Sequence, residues 1–93
     1  TLPDPTTPAA VFKAFAAMGE PPRWLLQSAR QDAYIVESRA VVALVLHDGL
    51  GLSWAAVGRE LHRGPTSVMR MVKRHRDKRA VRDLASELCI SLG

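Results

Sequence analysis

The sequence predicts an all-α domain of five to six short helices built around a central helix-turn-helix. Three observations carry that prediction. Apolar residues recur at helical spacing through successive short segments. Residues that cap or open helices stand ahead of those segments: Thr7-Pro8, Asp32, Ser53 and Pro65. Gly19, Pro21-Pro22, Gly49, Gly51 and Gly64 punctuate the intervals.

Taken in order, residues 1–7 (TLPDPTT) hold two prolines and no periodicity, and read as an arm or linker ahead of a domain over 8–93. Thr7 caps a helix that opens on Pro8 and runs to Met18, with Val11, Phe12, Phe15 and Met18 on one face. Gly19 closes it and Pro21-Pro22 forbids continuation. A short helix follows over 23–29, anchored by Trp24, Leu25 and Leu26. Asp32 caps a longer helix over 33–48, in which Tyr34, Ile35, Val36 and the run 40–46 surround nearly the whole circumference; such a helix is central and buried. The β-branched run also fits a strand, but its length and the Asp32 cap favour a helix. Residues 49–52 form a loop, Ser53 caps a helix over 54–61, and His62-Arg63-Gly64 make a turn. The next helix opens on Pro65 and ends near Arg76. The last, over 79–91, carries the stripe Val81, Leu84, Ala85, Leu88 and Leu92. That stripe completes the core, serves a partner helix, or leads to a further domain.

Length and composition set the class. At 93 residues a single compact domain is expected, and 47 % hydrophobic against 24 % charged residues argues against disorder. The longest apolar run, 40–46, is far short of the roughly 20 residues of a membrane span. No secretory signal is visible. The single cysteine, Cys89, excludes an internal disulfide and a four-cysteine zinc site, and is expected to be a small buried residue. A chain that begins at Thr1 rather than Met is expected to be a processed protein or an excised domain.

Net charge is +4, and its distribution is uneven. Residues 1–58 carry net −1 and 83–93 net −2, whereas 59–82 hold nine basic residues against Glu60 and Asp77, net +7. A concentrated basic third implies a polyanion, most often nucleic acid; the plainer alternative is a solvated charged helix face. The basic block coincides with the helix-turn-helix pattern of 51–73, GLSWAAVGRELHRGPTSVMRMVK. Gly58 leaves room inside the first helix for a close approach by the second. At 100° per residue, Val68, Met71, Val72 and His75 face inward, and the opposite arc holds Thr66, Ser67, Met69, Arg70, Lys73, Arg74 and Arg76. Thr66, Ser67 and Arg70, near the helix start, are the expected base readers, while Lys73, Arg74 and Arg76 lie further along and hold phosphates. Arg59 and Arg63 are expected to touch the DNA backbone.

The stretch from about residue 8 to 78 resembles the C-terminal DNA-binding domain of the bacterial replication initiator DnaA, of the Trp-repressor-like superfamily. The likeness lies in Arg39, the apolar helix AVVALVL, S-W-A-A-V-G-R-E-L over 53–61 and H-R-G-P-T-S-V over 62–68, with WLLQSAR upstream. Arg39 stands fourteen residues before Ser53, as does the family arginine that enters the minor groove, so the resemblance implies a minor-groove contact for Arg39. It also matches Arg63 to the basic residue of the turn, and Thr66 and Ser67 to the threonine pair opening the recognition helix. This chain departs from the family in three places. One turn glycine is missing, Gly64-Pro65 replaces an Asp-His pair that reads the family's DNA box, and Glu37 stands where a basic residue is common. A different target sequence is therefore implied. No phosphate-binding G-x-x-x-x-G-K-[ST] accompanies the domain, so the resemblance implies a fold and a binding mode rather than replication initiation. DnaA-like domains also occur in transcription activators, including those of phage-derived clusters such as gene transfer agents.

Other residues carry less. His47, His62 and His75 lack partners at metal-ligand spacing, so no metal, cofactor or small-molecule ligand is expected. Trp24 and Trp54 could stack on single-stranded bases, but five aromatics are few and Trp54 reads as a core anchor. No catalytic constellation is visible, and no enzyme activity is expected. The basic helix-turn-helix thus points to double-stranded DNA as partner, and the resemblance implies a bacterial transcription regulator of the cytoplasm and nucleoid, with transcription machinery or another domain as further partners. The alternatives are a replication-control factor and, from another class, an interaction module docking an acidic protein.

Overall fold

Helix boundaries follow the caps. The structure, a computed structural model, describes residues 6–93; of the expected arm, residues 1–5 lie outside the described residues. Thr7 Oγ1 accepts a hydrogen bond from the Ala10 amide at 3.2 Å, and Pro8 opens α1, Pro8–Ala17. Gly19 takes φ +84° and turns the chain away. The helix α2 is one turn, Arg23–Leu26, shorter than expected. Next come α3, Ala33–Leu44, α4, Trp54–Leu61, α5, Pro65–His75, and α6, Arg79–Leu92. Among the described residues there is no strand, and no helix is long and apolar enough to cross a membrane. The fold is all-α, as the sequence predicts.

The long helix expected over 33–48 divides. After Leu44 the backbone widens into a π-helical turn, Val45–Gly49, closed by the Leu50 amide on the Val45 carbonyl at 3.2 Å. Asp32 occupies the N-cap position of α3 without capping it; its carboxylate accepts from Arg30 Nε at 3.0 Å instead. Nor is α3 buried all round. Tyr34 is exposed and donates its hydroxyl to Glu20, which raises the phenol's pKa above its ordinary value.

The helix α3 is the axis of the domain. It packs against α5 on one side and α6 on another, with α1, α2 and α4 completing the shell. Phe12 and Phe15 of α1, Val41 and Val42 of α3, Val57 and Leu61 of α4, Val68 and Val72 of α5, and Val81 and Leu88 of α6 form one cluster. The α6 stripe therefore completes the core. Fully burying each such aliphatic or aromatic side chain contributes roughly 1.5–3 kcal/mol. Two expectations are corrected: Trp24, the expected anchor of α2, is 70 % exposed, and Cys89, expected to be buried, is half-buried against the edge of the core. Trp54 is also half-buried, packed on the core edge and stacked on His47 with ring centroids 3.7 Å apart.

Candidate nucleic-acid interface

The helix-turn-helix is closed by backbone rather than by a second helix pressing on a glycine. Ser53 Oγ accepts from the Ala56 amide and starts α4. At its end His62 adopts the left-handed conformation, φ +57°, and the Arg63 amide donates to the Gly58 carbonyl at 2.8 Å. A Cβ on Gly58 would fall within contact range of the Arg63 carbonyl oxygen, so the turn folds directly onto this glycine. Gly64 has φ −70° and open space around its α-carbon, so the turn's left-handed residue is a histidine and not that glycine. Pro65 then opens α5.

Burial orients α5. Val68, Val72 and His75 are buried and Met71 half-buried, as the periodicity predicts. Thr66, Ser67, Arg70, Lys73, Arg74 and Arg76 are all exposed. Thr66, Arg70 and Lys73 fall within about 60° of one another, with Arg70 nearly opposite the buried arc. No Asp or Glu occurs on α5. The nearest acid on α4, Glu60, is held by Arg23 at 2.7 Å. Among the described residues, Arg59, Arg70, Lys73 and Arg74 form no ion pair, while Arg76 meets Asp48 at 3.6 Å.

Comparison with family models, curated proteins and solved structures finds no match for this chain.

One expected DNA contact, Arg39, is placed differently by the structure, and a second, Arg63, is braced beside it. Arg39 is 1 % exposed. Its Nε donates to the Leu26 carbonyl and its Nη2 to the Ser28 carbonyl, both at 2.7 Å. A guanidinium so engaged does not extend into a minor groove; it ties the end of α2 to α3. Burial, then the neighbouring Arg63 charge, lower its pKa, with Asp32 acting in the opposite sense. Arg63 is half-buried and donates from Nη2 to the same Ser28 carbonyl and from Nη1 to the His62 carbonyl. The pair pins the loop between α2 and α3 beside the first turns of α5.

What the sequence did not flag is the packing of that loop beside α5. Gln31 lines a hollow together with Arg39, Arg63 and Ser67. The contact spans more than thirty residues of chain and leaves no periodic signal. Glu37, the expected departure from a basic position, binds Lys78 Nζ at 3.0 Å and so joins α3 to the turn before α6.

Proposed function

We propose that the domain binds double-stranded DNA by laying α5 in the major groove, and that it serves as a bacterial transcription regulator. One observation carries the reading: a helix-turn-helix presents α5 with its apolar side buried and an outer arc holding two hydroxyls and three cations without a single acid, with Arg76 just beyond its end. Arg70, centred on that arc, can bond guanine N7 and O6 bidentately, and Thr66 beside it can reach a base or phosphate. Lys73, Arg74, Arg76 and Arg59 supply charge for phosphates on either side. The mechanism is docking, without covalent chemistry. The resemblance to the DnaA C-terminal domain supports the same binding mode, with Arg39 reassigned from reader to brace.

A titration of duplex DNA by fluorescence anisotropy at several salt concentrations tests the reading. Roughly six phosphate contacts give a slope of log K against log salt near −5. A nearly salt-independent interaction, or none, overturns it.

A further inference from the structure

Arg39 and Arg63 converge on one carbonyl, that of Ser28, and neither forms an ion pair with a carboxylate among the described residues. Asp32 is the acid whose field reaches Arg39, and its carboxylate is already held by Arg30 at 3.0 Å. Two adjacent guanidinium groups, one of them 1 % exposed, thus stand without a carboxylate in ion-pair contact among the described residues, Asp32 acting on Arg39 only through its field. Buried charges in proteins are ordinarily paired, because desolvating an isolated ion is costly. Arg39 Nη1 has no acceptor among the described residues. Both arginines line a hollow of about 270 Å³ between the α2–α3 loop, α3 and the start of α5. The Ser67 side chain and the Gln31 amide line the same hollow, and both can donate hydrogen bonds. The lining thus holds two cations, two neutral donors and no carboxylate.

We propose that this hollow is an anion seat that takes a phosphate group, with Arg39, Arg63, Ser67 and Gln31 as its donors. Arg39 contributes charge from the floor while keeping its two carbonyl bonds. Arg63, at the rim, supplies the second guanidinium, and Ser67 joins the seat to the recognition helix. The seat deepens the DNA-binding reading, and rests on it, only in identifying the phosphate with one in the duplex backbone; a free phosphate-bearing ligand presents the same chemistry.

The test has two arms. In the first, sodium phosphate is titrated into the protein at constant ionic strength made up with chloride, and the Arg39 and Arg63 Nε–H and Ser67 amide resonances are followed by NMR. Saturable shifts are expected, with affinity reduced about tenfold or more in Arg63→Gln and more weakly in Ser67→Ala, since a bond between charged groups is removed. Shifts that chloride reproduces, or no saturation, overturn the seat even if the protein binds duplex. In the second arm single neutral methylphosphonates are walked along a duplex. One position costing the wild type about tenfold, and Arg63→Gln almost nothing, assigns the seat to the DNA backbone. Saturable phosphate binding without such a position supports the seat and assigns it to a free phosphate-bearing ligand. Saturable phosphate binding with no duplex binding at all retains the seat and overturns the DNA reading alone.

Discussion

Gly58→Ala sets two effects against each other. Helix propensity favours alanine over glycine by about 1 kcal/mol at an interior position of α4. The fold opposes the change, because the new Cβ would press on the Arg63 carbonyl oxygen, a backbone atom, and approach the Arg63 and Gly64 carbonyl carbons at 3.4 Å. A backbone atom cannot rotate away as a side-chain tip can. The turn must shift, loosening the bond from the Arg63 amide to the Gly58 carbonyl and the Arg63 contact with Ser28. Overpacking costs roughly 1–3 kcal/mol and the weakened bond about 1. The net expectation is a loss of about 1–3 kcal/mol, or a fall in Tm of roughly 4–24 °C for a domain of this size. Gly64→Ala is the control. Gly64 has φ −70° and nothing within 4 Å of a Cβ; the N-cap preference for glycine over alanine offsets the gain from a less flexible unfolded chain, so its replacement should leave Tm within a few degrees of wild type (~0.5 kcal/mol). Thermal unfolding followed by circular dichroism reads both. Gly58→Ala as stable as wild type, with Gly64→Ala destabilised, would refute the reasoning about how the turn closes.

Three further outcomes are expected. Arg39→Ala removes a buried side chain and strands the Leu26 carbonyl, so stability should fall by roughly 2–4 kcal/mol in chemical denaturation; an unchanged midpoint with DNA affinity lost would restore Arg39 as a groove contact. His75 is buried with Nδ1 unpartnered, and burial followed by Lys78 lowers its pKa, against Glu37 and with Arg74. The unfolded chain therefore takes up the proton first, near the ordinary value of about 6.5, and stability should decline as pH falls from 7.5 to 5.5; His75→Leu should flatten that decline, and an equal decline in the variant would exclude His75 as its source. Lys73→Ala should weaken duplex binding uniformly across sequences and reduce the salt slope by about 1, whereas a change in preferred sequence would make Lys73 a base reader.

Much of the fold was legible because its signals are local. Thr7, Pro8, Ser53 and Pro65 each act within one helical turn, and all four sit where their chemistry places them. The inward set Val68, Val72 and His75 followed from a 3.6-residue period. What escaped depends on distant backbone. The resemblance implied a groove contact for Arg39, and nothing local in the sequence could correct it, because its acceptors are carbonyl oxygens eleven and thirteen residues away and a carbonyl has no sequence signature. The turn His62-Arg63-Gly64 was legible, but not that its left-handed residue is His62, a residue type that tolerates αL. Trp24 was taken as an anchor on hydrophobicity alone, but α2 ends after one turn and leaves it outside. For the candidate interface, the sequence identified the exposed residues of α5 but not the packing of the loop that flanks them.

Selection of bound duplexes from a random pool at about 0.15 M salt, with Arg70→Ala in parallel, tests the interface most directly. The expected result is an enriched motif for the wild type that disappears in Arg70→Ala, while that variant keeps its Tm. Recovery of no DNA, or of one motif by both proteins, would contradict a recognition helix centred on Arg70.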